Sequence, residues 1–343
     1  MGDHAPCQRK ARGGGKIATA APLSLFYLVR RNWARRAPFW GLLLRNGLAS
    51  LRIGVLTLLA LAGCGEESRA QPYSDARLWR IERDGAEPSF ILGTMHVTDP
   101  DVTALSPAIQ QAFDSTETLA VELTMDAMTQ AKLAKAMLAS DFAWMDHRLD
   151  ERQRRLLADV AGQYDIAVTQ LRLLQPWAVA AMFSFPPAEL QRQMNGSKPL
   201  DLQLMDKAKA SGKKLIALEK VEEQLDAFTD YSEQEQIQIL TQTLENVSRV
   251  DKDFARMKDA YLRGNLADLN ALADEGFAEL DPGLSEQIQR RLIGDRNRTM
   301  ADRLEPLLND GHIFVAVGAL HLPGDGGVLN LLAQRGYRIT AVE

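Results

Sequence analysis

The chain has 343 residues, room for one large domain or two small ones. A composition 46% hydrophobic and 25% charged excludes a largely disordered chain. The net charge of −5 is unevenly spread: residues 1–63 hold ten of the 40 Lys and Arg but only Asp3 of the 45 acidic residues, leaving 30 basic against 44 acidic residues beyond them. That acidic remainder disfavours nucleic acid and anionic lipid surfaces as partners.

The basic segment reads as an export signal. Ile53 to Leu61 is a compact apolar run behind Arg45 and Arg52, too short for a stable membrane span but suited to a signal peptide. It ends in Leu61-Ala62-Gly63-Cys64, which resembles the lipobox of bacterial lipoproteins. The resemblance implies cleavage before Cys64 and a diacylglyceryl group on its sulfur, anchoring the protein to a lipid bilayer. Gly65 is not the acidic residue associated with inner-membrane retention, so the periplasmic face of the outer membrane is the expected location. Residues 1–44 exceed what a signal needs and point either to a long basic region or to a translation start later than Met1. The expected organisation is an extension and signal over 1–63, a lipidated Cys64 with a tether to 76, and one α/β domain over 77–343. Cys7 and Cys64 are the only cysteines, so that domain has no disulfide and no thiolate ligand. Its chemistry falls to His, carboxylates, hydroxyls and Lys.

In chain order, Leu78 to Arg83 and Ser89 to Leu92 read as a hairpin about Asp84-Gly85. Ser106-Pro107 opens a short helix to Phe113. Leu119 to Leu123 is a buried strand. Helical spacing runs through 127–138, 151–164 and 200–211, then Leu215 to Leu218 is another strand. Helices follow over 233–247, 251–262 and 285–308, and the last strands are Ile313 to Val317 and Tyr337 to Val342. Strands separated by long helical stretches predict a mixed central sheet flanked by helices, with a single core.

Two segments repeat a pattern. Gly93-Thr94-Met95-His96 and Gly318-Ala319-Leu320-His321 each follow an apolar strand. Groups just beyond the carboxyl ends of strands in an open α/β sheet converge on one crevice. Neighbouring strands would therefore bring His96 and His321 together. Two satisfied structural histidines remain the other reading of this spacing; His147 and His312 lack the context altogether. Two further strands end in carboxylates, Glu122 and Glu219. Alone each is an ordinary boundary residue, but with two histidines they make a His₂-carboxylate set suited to a divalent metal with an open position. No His-Glu-x-x-His helix, Gly-x-Ser-x-Gly turn or Walker-type loop is present, which argues against those hydrolase classes.

Trp79-Arg80-Ile81, Ile91 to His96, Ala120-Val121-Glu122, Ala217 to Leu225, Asp295-Arg296-Asn297 and Val317 to Val328 together resemble the TraB/GumN family. The likeness runs from about 78 to 343, with the motifs in order. It implies a two-repeat α/β architecture shared with the Tiki proteins, which are metal-dependent proteases, and with erythromycin esterase-like enzymes. It further implies His96, His321 and Glu122 as ligands of Mn, Co or Zn, with Glu219 as second carboxylate or general base. Arg296 would orient a carboxylate or a developing oxyanion, and Asn297 would donate to substrate. Ala319-Leu320 departs from the family's smaller residue before the second histidine and would narrow the site. The expected function is a metal-dependent hydrolase, in first place a peptidase of the cell envelope. A non-catalytic peptide-binding module of the same fold and a small-molecule ester hydrolase are the alternatives.

Overall fold

The computed structural model describes residues 71–343; the signal segment and Cys64 lie outside the described residues. Six strands form one mixed sheet in the order β4-β3-β5-β2-β1-β6. They are β1 (Leu78–Glu82), β2 (Ser89–Thr94), β3 (Thr118–Val121), β4 (Lys214–Ala217), β5 (Ile313–Gly318) and β6 (Arg338–Ala341). The hairpin β1–β2 is antiparallel, with Trp79 opposite Ile91, and β6 pairs antiparallel with β1. The other pairings are parallel: β2 with β5, β5 with β3 and β3 with β4. Strands β2, β5, β3 and β4 therefore end at one edge of the sheet. Because β5 inserts between β2 and β3, the two glycine-histidine segments become neighbours although 225 positions separate them.

The strands form where the sequence places them, for a legible reason. Ile313–Gly318 is almost continuously apolar and buried, as a central parallel strand must be when helices cover both faces. Helix α1 (Pro107–Asp114) starts at Ser106, whose hydroxyl accepts from Ile109 N, with Pro107 in the first turn. Asp150 with Gln153 and Ser232 with Glu235 form reciprocal caps at the starts of α2 (Glu151–Gln163) and α3 (Glu233–Asn246).

The helical stretch expected over 285–308 is not uniform. It is helix Pro282–Gln289, a π-helical turn Arg290–Gly294, then α4 (Asp295–Asp310). A π turn holds an extra residue and rotates the next helical residues about the axis. Arg296 and Asn297 come immediately after it, and both are buried, 4% and 1% exposed.

The expectation of one core is corrected by the packing. One cluster of buried hydrophobics surrounds the sheet; a second cluster, supplied mainly by helices, is built around Trp144, Trp177, Phe183, Leu240 and Leu244. Leu320 packs against both. The second cluster escapes sequence reading because helix Pro176–Phe183 is buried on every side and so has no amphipathic period. Among the described residues, no helix is long and apolar enough to cross a membrane.

Candidate metal centre

The strand ends deliver the site. Beyond β2 the chain reaches His96, beyond β5 it reaches His321, and β3 and β4 lead to Glu122 and Glu219. The backbone continues the β3–β4 pairing through this point, Glu219 N donating to Glu122 O.

Both glycines of the repeated pattern have a steric reason. A Cβ on Gly93 would stand 2.9 Å from Ala319 Cα, so glycine is what lets the first segment lie against the second. A Cβ on Gly318 would stand 3.3 Å from Glu122 Oε1 and 3.4 Å from His96 Nε2. Gly318 N donates to Glu122 Oε1 at 2.7 Å.

The two imidazoles point their Nε2 atoms at the same oxygen. His96 Nε2 is 3.7 Å and His321 Nε2 3.9 Å from Glu122 Oε1. Each ring is held from behind at Nδ1, His96 by Asp201 Oδ1 at 3.1 Å and His321 by Asn297 Oδ1 at 2.6 Å. An acceptor at Nδ1 fixes the proton there and turns the Nε2 lone pair inward, the arrangement that supporting hydrogen bonds impose on metal-ligating histidines.

Arg296 ties the carboxylates together. Its Nε and Nη2 donate to Glu219 Oε1 at 2.8 Å and Oε2 at 2.7 Å, and Nη2 also reaches Glu122 Oε2 at 2.8 Å. Nη1 donates to Leu292 O at 3.1 Å, a carbonyl of the π turn. Gln224 Nε2 adds a bond to Glu122 Oε2 at 3.0 Å. Arg296, expected to orient a carboxylate or a developing oxyanion, bonds two carboxylates here. Glu219, expected as second carboxylate or general base, has both oxygens on the guanidinium, where it is a counter-ion to Arg296. Asn297, expected to donate to substrate, instead donates from its amide nitrogen to Gly326 O at 2.8 Å while its oxygen holds His321.

The charges in this set do not balance. Glu122 and Glu219 are buried carboxylates, and Arg296 is the buried cation they share. Neutral imidazoles would leave one negative charge over, which is costly in a low-dielectric interior. Burial alone would lower the His96 pKa, but the Asp201 and Glu122 carboxylates overcome it and raise it to about 10. His321 is held down to about 3 by burial and by Arg296, against a smaller opposing pull from Glu122. Burial opposes ionisation of Glu122, yet Arg296 and the two imidazoles hold its carboxyl well below the usual range. Glu219 is pushed up by burial more than Arg296 pulls it down.

Among the described residues, no group of three or more His, Cys, Asp or Glu side chains is set out to hold a metal ion as it stands. The donor chemistry does fit one. Two imidazoles with Nδ1 engaged, a carboxylate between them and an excess of negative charge suit a borderline divalent cation. Asp201 and Gln224 complete the set, and the sequence reading missed both. Asp201 is an acidic residue in the first turn of helix Leu200–Ala210, an ordinary place for one, and Gln224 comes after two glutamates on a helix that reads as solvated. His147 is exposed and His312 faces Glu87, so neither joins the site.

The profile of the TraB/PrgY/gumN family matches residues 77–341. Among curated proteins, the Danio rerio protein named Metalloprotease TIKI2 is 25% identical over 326 residues, 79% of this chain and 61% of the relative. Metalloprotease TIKI1 of the same species is 27% identical over 332 residues, 78% of this chain and 64% of the relative. The uncharacterized protein YbaP of Shigella flexneri is 23% identical over 252 residues, 74% of this chain and 90% of the relative. The chain thus spans under two thirds of the length of the Danio rerio metalloproteases it matches. No solved structure matches it.

Proposed function

The chain belongs to the TraB/PrgY/gumN family, and on that premise we propose that it is a metal-dependent hydrolase that cleaves peptides in the cell envelope. The observation that carries the reading is the convergence of His96 Nε2 and His321 Nε2 on Glu122 Oε1, each ring braced at Nδ1. His96, His321 and Glu122 would hold the cation, with Zn, Mn and Co all compatible with mixed N and O donors. When bound, such an ion supplies Lewis acidity and a water that ionises near neutral pH.

The chain's own residues do the rest. Asp201 and Asn297 fix the two tautomers. Arg296 keeps Glu122 ionised and aimed, and Glu219 neutralises that arginine so that the site stays net negative. Gly318 N–H anchors the Glu122 oxygen that faces both rings. The metalloprotease names of the zebrafish relatives support peptide as the substrate class. Lipidation at Cys64 would place the domain against a bilayer, on the periplasmic face of the outer membrane. The engagement of both Glu219 oxygens by Arg296 favours one second reading, a module that captures peptides without cleaving them, because it holds that carboxylate against the guanidinium rather than free to face a substrate.

The test is hydrolysis of a fluorogenic peptide library by purified protein supplied in turn with Zn, Mn and Co. Cleavage that a chelator abolishes and His96→Ala lacks supports the peptidase. Peptide retention without cleavage by metal-loaded protein moves the assignment to the capture module. For the anchor, wild type should label with a fatty-acid analogue and Cys64→Ala should not; equal labelling contradicts it.

A further inference from the structure

A small cavity of about 70 Å³ opens beside the two imidazoles. His96 and His321 both line it, so whatever fills it stands against the two rings. The other walls are apolar, chiefly Phe185, Met257, Leu269 and Leu320. Such walls offer nothing to a charged group and reward an aliphatic one. The volume is roughly half of the ~150 Å³ dry cavity that accommodates a benzene ring, so an aromatic side chain is too large and a hydrogen atom leaves the space empty.

Thr94 also lines the cavity. It is 2% exposed, and its hydroxyl Oγ1 has no hydrogen-bond partner among the described residues. Buried hydroxyls are almost always paired, because leaving one unpaired forfeits its hydration without return. Here the unpaired hydroxyl belongs to the strand end that leads to His96. Leu320 borders both this cavity and a larger cleft of about 370 Å³ that runs along Asn297 and the turn Gly324 to Gly327. A chain lying in the cleft can therefore reach over Leu320 and drop one side chain into the cavity.

We propose that this cavity is a specificity pocket for an aliphatic side chain of three or four carbons, on the residue next to the cleaved bond. The Thr94 hydroxyl hydrogen-bonds the backbone of that residue. The proposal deepens the peptidase reading and rests on it for the word substrate, but the pocket itself can be tested without turnover.

The first measurement is kcat/KM of the metal-loaded protein on one peptide varied at a single position beside the cleavage site. Val or Leu should exceed Gly by roughly 10- to 100-fold, the usual worth of filling such a pocket, and should exceed Phe and Lys as well. Leu269→Ala enlarges the pocket and should raise Phe relative to Leu. Thr94→Val should lower all members of the series alike, and Thr94→Ser should restore them. The second measurement records ¹³C-methyl methionine spectra of the metal-loaded protein with N-acetyl-leucinamide or N-acetyl-glycinamide. The Met257 signal, assigned from Met257→Leu, should move with the first ligand only.

A cleaved peptide series with no side-chain preference, left flat by Leu269→Ala, overturns the pocket while the peptidase stands. If no peptide is cleaved, the peptidase reading falls and the Met257 signal decides the pocket alone: a shift supports it and an unmoved signal overturns it. Thr94→Val turning over as wild type does overturns the backbone contact.

Discussion

Replacing Arg296 by Met removes the buried guanidinium that bridges two buried carboxylates while keeping most of the side chain's volume. Four hydrogen bonds disappear, three of them to carboxylates. Glu219 is left buried without a counter-ion and Glu122 keeps only the His96 imidazole, and breaking a buried pair in this way costs about 3–5 kcal/mol. At roughly 2–4 °C per kcal/mol for a domain of this size, the melting temperature should fall by about 10 °C. The same geometry sets the sign of the pH dependence. In wild type the depressed Glu122 pKa contributes stability that is present above the unfolded carboxylate value and lost as pH falls through the folded one. Without Arg296 both carboxyls are pushed up by burial and by each other, so the variant regains stability as pH falls from 8 towards 5. The deficit should therefore shrink on acidification, and Arg296→Met with Glu219→Leu should recover part of it because one uncompensated charge is gone. Calorimetric unfolding of metal-free protein across that pH range measures all three. A loss under about 1 kcal/mol, or one that pH does not change, would refute the account of Arg296 as the carboxylates' counter-ion.

Asp201→Asn should keep His96 hydrogen-bonded but remove its charge, lowering metal affinity by roughly 10- to 100-fold in a chelator competition, with Asp201→Ala at least as weak. Binding of a divalent cation at pH 8 should release close to one proton per chain, because His96 carries one up to about pH 10 in its absence. Calorimetry in buffers of different ionisation enthalpy reads that proton, and none released would mean His96 does not give up a proton to the ion. The same raised pKa gives metal-free protein a stabilising contribution that is complete below about 6.5 and fades as pH rises through about 10. Gly93→Ala should destabilise by about 1–3 kcal/mol in denaturant titrations, since its Cβ meets the Ala319 backbone at 2.9 Å and wedges the two histidine segments apart; an unchanged midpoint would mean the close approach is not needed.

What the sequence makes legible here is whatever is local and periodic. The strands β2 and β5 announce themselves as apolar runs, and Gly-x-x-His after each is a signal because the glycine and histidine are fixed by the same close approach. Glu122 and Glu219 can be named because each sits at a strand end. Asp201 cannot, since it meets His96 across 105 positions and nothing at its own position differs from a helix-start acid. Roles are harder to read than places. Glu219 is next to the metal-ligand candidates in the sheet but spends both oxygens on Arg296, a fact set by the π turn that swings Arg296 inward. The separation of the buried hydrophobics into two clusters escapes for a related reason: a helix buried all round shows no period that says which core it joins.

The claim on which the rest depends is that His96, His321 and Glu122 share one ion. Metal content of purified protein after dialysis against limiting Zn, Mn or Co measures it directly, for wild type, His96→Ala, His321→Ala and the double variant. One ion per chain in wild type, lost in either single variant with the double no worse, is the predicted result. Metal retained in both single variants, or absent from wild type under replete conditions, would contradict it.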